Sequence, residues 1–157
     1  MFYSKLLEEY LSECEKELKK ENIKFVFLGD KSPFSASLRS KMEKIEEISS
    51  KGEYTVNLAL NYGGRSELVY AYNKLLSEGK TSVTENDIED ALYTAGSPDL
   101  DLVVRTGGDF RISNFLLWQS AYAELYFTDK LWPDFSTKDV DLAIENFSNR
   151  KRRFGGV

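Results

Sequence analysis

Histidine is absent from the 157 residues, and the one cysteine is Cys14. Without histidine the chain cannot form a Ser-His-Asp or Cys-His triad, and the common zinc ligand sets are also excluded. Any chemistry must use carboxylates, arginine, lysine, tyrosine or an oxygen-ligated metal ion such as Mg²⁺. A lone cysteine cannot form an intrachain disulfide, so a reducing compartment fits best, and we interpret Cys14 as a surface or half-buried thiol.

Long apolar runs are also missing, and no segment approaches the ~20 apolar residues that a membrane-spanning helix needs. We see no signal-peptide pattern, so we expect a cytoplasmic protein that can contact a membrane only at its surface. The net charge is −5, which makes nucleic acid an unexpected partner. Four of the 21 basic residues form a run in the tail, residues 150–153, and such a run is usually a solvated end.

The hydrophobic spacing predicts an α/β domain with a mainly parallel sheet flanked by helices, because strand and helix patterns alternate. The predicted helices are 2–20, 35–48, 66–76, 84–92, 113–121 and 138–147, and the predicted strands are 23–28, 54–60, 102–104 and 125–127. Thr84, with Asp87 three residues later, and Ser136 are predicted helix caps. In parallel sheets ligands bind beyond the carboxyl ends of the strands, so the loops that follow the strands are the candidate sites.

The first candidate is Asn61-Tyr62-Gly63-Gly64-Arg65, which joins a predicted strand to a predicted helix. Gly63 and Gly64 permit close approach of a ligand to the backbone, and a helix N-terminus favours an anion. Asn61 and Arg65 flank this turn. The alternative is a plain strand-to-helix turn.

The second candidate follows the strand that begins after Asp101. This segment contains a Gly-Gly turn, with Arg105 before it and with Arg111 and Ser113 after it. Guanidinium groups bind phosphate through a planar fork, and exposed amides and a hydroxyl would add donors. The alternative is that one arginine pairs with Asp101 or Asp109 while the other is solvated.

Glu124 is a third candidate, because it is a lone carboxylate in an apolar and aromatic run, residues 121–127. A buried carboxylate is costly unless it is paired or bound to a metal ion. The sequence leaves open an ion pair with an arginine or a Mg²⁺ ligand beside a diphosphate.

Several of these motifs, taken in order, resemble the cis-prenyltransferase family, which includes undecaprenyl diphosphate synthase. The matching segments are Arg105-Thr-Gly-Gly-Asp-Phe-Arg-Ile-Ser-Asn-Phe-Leu-Leu-Trp-Gln119, 121–129, 131–135, 152–156 and Asn61-Tyr-Gly-Gly-Arg65. The resemblance implies an enzyme that condenses isopentenyl diphosphate with an allylic diphosphate, usually farnesyl diphosphate, to make Z-polyprenyl diphosphates. It also implies a parallel sheet with helices around it, a homodimer and an apolar product tunnel.

The resemblance assigns roles to individual residues. Residues implied to bind isopentenyl diphosphate are Arg105, Arg111, Ser113, Arg153 and Gly155, the last two reaching the neighbouring subunit's diphosphate. Glu124 is implied to be a Mg²⁺ ligand, and Tyr54 to line the tunnel floor.

Two family motifs do not occur in the sequence: Met-Asp-Gly-Asn, whose aspartate is catalytic, and the mobile Ser-x-Glu-Asn-Trp loop. Relatives also often have Glu and a polar residue where this chain has Asp109 and Phe110. We therefore expect residues 1–157 to be a single incomplete domain, the carboxyl-terminal part of a cis-prenyltransferase with its first strands missing. We expect this chain to contain no catalytic residue and to be inactive alone; the alternative is a non-catalytic partner subunit or scaffold.

Overall fold

A computed structural model of the protein describes residues 2–17 and 22–150. The predictions for Arg153, Gly155 and the Cys14 side chain lie outside the described residues. The chain divides into two compact units, Met1–Tyr62 and Gly63–Val157. The sequence-based expectation of one domain stays a prediction.

The first unit contains helix α1 (Phe2–Glu17), strand β1 (Ile23–Leu28), helix α2 (Ala36–Ser49) and strand β2 (Tyr54–Ala59). The two strands are parallel, with Ile23 opposite Tyr54 and Leu28 opposite Ala59. Parallel neighbours need a crossover, which α2 provides. The side chains that form the core of this unit are Leu11, Phe27, Leu38, Met42 and Ile45.

The second unit contains helices α3 (Gly64–Ser77) and α4 (Glu85–Ala91), strands β3 (Leu102–Arg105) and β4 (Glu124–Phe127), a 3₁₀ turn (Trp132–Asp134) and helix α5 (Thr137–Ser148). Strands β3 and β4 are also parallel. Helix α3 packs on α4 around a small buried cluster of Ala71, Leu75, Ala91 and Leu92. The described strands form two separate two-stranded parallel sheets, which confirms the predicted α/β class.

Residues 113–121 were predicted to be a helix, and this prediction is wrong because the segment is a series of turns. Ser113, Asn114 and Leu116 have positive φ angles of 47°, 64° and 45°. These values lie in the left-handed region, which a right-handed helix cannot contain. The predicted caps at Thr84 and Ser136 are confirmed, each with an aspartate three residues later.

Within residues 2–17 and 22–150, none of the helices combines the length and apolar character that crossing a membrane requires. The predicted cytoplasmic location and membrane-surface contact stay predictions.

Candidate functional site

Four of the predicted residues meet at the carboxyl end of β3. Arg105 is the last residue of that strand, and its Nη2 donates to Asp109 Oδ2 at 2.9 Å. The same oxygen accepts from Arg111 Nη2 at 2.6 Å. Arg105 Nη1 donates to Ser113 Oγ at 2.8 Å and also to the Arg111 carbonyl. We call Arg105, Asp109, Arg111 and Ser113 the arginine cluster.

The arginine cluster carries two positive charges and one negative charge, so it retains a net positive charge. The Arg105 side chain is 25% exposed, while Asp109 and Arg111 are 43% and 64% exposed. An anion from solvent can therefore reach both guanidinium groups. Because one carboxylate oxygen already bridges them, the cluster has the arrangement that a phosphate oxygen would require.

The Gly-Gly turn inside this loop does not offer its own amides to a ligand. The Gly107 N–H donates to the Lys130 carbonyl at 2.8 Å, and the Gly108 N–H donates to the Thr128 carbonyl at 3.0 Å. Both glycines have positive φ angles, 90° and 79°, which only glycine adopts without strain. The side chains of the cluster, rather than these two amides, are the available donors.

The turn between β2 and α3 makes a contact that the sequence did not suggest. The Gly64 N–H donates to the Asn114 carbonyl at 2.7 Å, and the Arg65 N–H donates to Asn114 Oδ1 at 2.9 Å. The first amides of α3 are therefore occupied by a residue from the 111–116 loop. Asn61, whose φ is 47°, instead donates from Nδ2 to the Asp30 carbonyl at 2.9 Å.

Glu124 lies away from the arginine cluster along the strands. Glu124 is the first residue of β4 and lies opposite Leu102. Arg105 is the last residue of β3 and lies opposite Phe127. Three residues separate these positions, about 10 Å at about 3.3 Å per residue. Asp101 lies at the same end as Glu124, and its carbonyl accepts from the Glu124 N–H at 2.9 Å.

The Glu124 carboxylate forms an ion pair, which was one of the two alternatives. Its Oε2 accepts from Arg150 Nη1 at 2.7 Å, and Arg150 also donates to the Leu125 carbonyl at 3.1 Å. The described residues contain no group of three or more His, Cys, Asp or Glu side chains that could hold a metal ion. No such group of ligands lies at the arginine cluster in the described part of the chain.

A buried carboxylate that sequence reasoning missed holds the 113–121 segment in place. Glu67 on α3 is 1% exposed. Its Oε1 accepts from the Tyr93 N–H at 2.9 Å, and its Oε2 accepts from Gln119 Nε2 at 3.1 Å. Gln119 also donates to Thr94 Oγ1 at 2.8 Å. The helical spacing of α3 gave no signal for this role, because the partners lie 26 and 52 residues away.

Comparison with known proteins identifies the family. A prenyltransferase family model, described as undecaprenyl diphosphate synthase, matches residues 1–155. An isoprenyl transferase of Fusobacterium nucleatum is 47% identical over 154 residues, which is 98% of this chain and 66% of that protein. An isoprenyl transferase of Wolinella succinogenes is 45% identical over 157 residues, which is 99% of this chain and 68% of that protein. The chain thus spans about two thirds of the length of these relatives.

Two solved structures share the fold. The crystal structure of a probable undecaprenyl diphosphate synthase from Campylobacter jejuni has a TM-score of 0.90 and 33% identity, covering 99% of this chain and 74% of that one. Lavandulyl diphosphate synthase from Lavandula x intermedia, solved with dimethylallyl diphosphate, has a TM-score of 0.91 and 34% identity, covering 99% of this chain and 70% of that one. The chain belongs to the undecaprenyl diphosphate synthase family of prenyltransferases.

Proposed function

We propose that this chain binds the diphosphate of isopentenyl diphosphate at the arginine cluster. In this proposal it belongs to an enzyme that condenses isopentenyl diphosphate with an allylic diphosphate, such as farnesyl diphosphate, to make a Z-polyprenyl diphosphate. The observation that supports the proposal is the convergence of Arg105 and Arg111 on one oxygen, with the Ser113 hydroxyl beside Arg105.

The chemistry of the cluster suits a diphosphate that is held rather than released. In this condensation the allylic C–O bond breaks and releases that diphosphate, a C–C bond forms to the double bond of isopentenyl diphosphate, and the isopentenyl unit loses one proton. The diphosphate of isopentenyl diphosphate therefore stays on the product. Two guanidinium groups and a hydroxyl can bind that group and fix its orientation. Holding one substrate in a fixed orientation toward the other lowers the activation barrier of a two-substrate reaction.

The resemblance also implies Mg²⁺ with Glu124 as a ligand, and a homodimer or prenyltransferase partner whose Arg153 and Gly155 reach the diphosphate. Because Glu124 is paired with Arg150, the binding step proposed here depends on Arg105, Arg111 and Ser113. Tyr54, at the start of β2, is 66% exposed, and its place on the tunnel floor stays a prediction.

Calorimetric titration with isopentenyl diphosphate, and separately with inorganic diphosphate, tests the binding proposal. Arg105→Ala and Arg111→Ala should each weaken binding about tenfold or more, since a hydrogen bond to a charged group contributes ~1.5–3 kcal/mol. Arg39→Ala is the matched control, because that guanidinium contacts the backbone carbonyls of Ser32 and Phe34. An equal loss in Arg39→Ala would show that only net charge matters and would contradict the proposal.

We further propose that the 157 residues bind substrate without turning it over, because the sequence contains no Met-Asp-Gly-Asn motif. Labelled isopentenyl diphosphate and farnesyl diphosphate should yield no Z-polyprenyl product with this chain alone. Product should form when a segment that carries the motif is added. Product from the chain alone would refute this part of the proposal, whereas stimulation of a separate catalytic homologue would favour the partner-subunit alternative.

A further inference from the structure

The loop that carries Ser113 has an unusual backbone. Ser113, Asn114 and Leu116 all have positive φ angles, and none of them is glycine. Few residues other than glycine adopt this region, and such a strained conformation persists only where the surrounding structure enforces it. Three of the four residues 113–116 have this conformation. We infer that contacts from elsewhere in the fold determine the path of this loop.

Those contacts come from the first turn of α3. A helix leaves its first amides without partners inside the helix, and the residue before the helix usually caps them with a side-chain oxygen. The cap position of α3 is Gly63, which has no side chain and makes no such bond. Asn114 supplies both acceptors instead, its carbonyl to Gly64 and its Oδ1 to Arg65.

The two glycines give Asn114 room to make these contacts. A Cβ on Gly63 would lie 2.7 Å from Asn114 Nδ2, and a Cβ on Gly64 would lie 2.8 Å from Leu117 Cγ. Both distances are shorter than ordinary van der Waals contact. The Gly63-Gly64 pair therefore has a structural explanation, the close approach of Asn114 and Leu117, that needs no bound anion.

We propose that Asn114 is a positioning residue for the diphosphate site, and that the N-terminus of α3 is its anchor. Asn114 fixes the left-handed conformation of its neighbour Ser113, and Ser113 Oγ then accepts from Arg105 Nη1 at 2.8 Å. Without the Asn114 side chain the loop gains alternative conformations and the Ser113 hydroxyl leaves Arg105. The inference rests on the proposed function, because it concerns the same diphosphate.

Asn114→Gly is the main test variant, since glycine tolerates the left-handed backbone and lacks the side-chain acceptor. We expect about a tenfold loss of affinity for inorganic diphosphate, because loosening a preorganised site costs binding free energy. Amide hydrogen exchange should show that the Arg65 N–H loses protection in the same variant. Asn149→Gly, at the exposed end of α5, is the matched control and should change neither quantity.

Gly63→Ala tests the same contact from the α3 side, in case Asn114→Gly lowers stability generally. It should weaken diphosphate binding and expose the Arg65 amide to exchange, although it alters no residue of the arginine cluster. Wild-type affinity in both variants, with the Arg65 amide deprotected, would overturn the positioning role and leave the proposed function intact. Absence of diphosphate binding in the wild-type chain would overturn the proposed function and this inference with it.

Discussion

Asp109→Asn should raise the affinity of the arginine cluster for diphosphate. The carboxylate oxygen that bridges Arg105 and Arg111 occupies the position that a phosphate oxygen would take, so an incoming ligand must displace it. An asparagine at position 109 competes less strongly, because a neutral amide oxygen is a weaker acceptor for guanidinium than a carboxylate.

The expected magnitude follows from the exposure of the two ion pairs. All three side chains are between 25% and 64% exposed, so each pair contributes about 0.5 kcal/mol rather than the several kcal/mol of a buried pair. Removing both contacts amounts to about 1 kcal/mol, which corresponds to an affinity gain of about fivefold. Higher salt should reduce the gain, since it screens exposed charges.

Calorimetric titration of both proteins with inorganic diphosphate at fixed ionic strength measures this change. Asp99→Asn, an exposed aspartate outside the cluster, controls for the lost negative charge. Weaker binding in Asp109→Asn would refute the reasoning, because it would show that the carboxylate orients the guanidinium groups for the ligand instead of competing with it.

Three further predictions concern carboxylates outside the cluster. Glu67→Ala should lower the free energy of unfolding by about 2–3 kcal/mol in a denaturant titration, because it removes a buried carboxylate together with the hydrogen bonds it accepts from Tyr93 and Gln119. A change below 0.5 kcal/mol, roughly the level of a surface substitution, would contradict this. Hydrogen bonds from Lys80 and Thr84 lower the pKa of Asp87 from 3.8 to about 2. Since the folded pKa is depressed, this stabilisation is present above about pH 4 and is lost as the pH falls through about 2. The difference in Tm between wild type and Asp87→Asn should shrink across that range, and a constant difference would count against it. Glu124→Gln should leave any gain in diphosphate affinity from Mg²⁺ unchanged, and loss of that gain would instead support a metal role for Glu124.

Local sequence patterns were enough to predict most of the helices and strands and to bring the residues of the arginine cluster into one loop. The strand at Ile23–Leu28 was predicted correctly because its signal is local. β-favouring residues form the run, and a glycine ends it directly afterwards. Arg105, Asp109, Arg111 and Ser113 lie within nine residues of one another, so one loop is enough to bring them together.

Pairing between distant segments decided the rest. The pairing of β3 with β4, which the sequence did not specify, placed Glu124 opposite Leu102 and three residues along the strands from Arg105. Asn114 meets Arg65 across 49 residues, and this contact accompanies the left-handed backbone that replaces the predicted helix. Hydrophobic periodicity reports which residues suit a helix or strand, but a long-range contact can impose a backbone conformation against that preference. The sequence therefore determined which residues could bind a diphosphate, and the tertiary structure decided which of them meet and what holds them there.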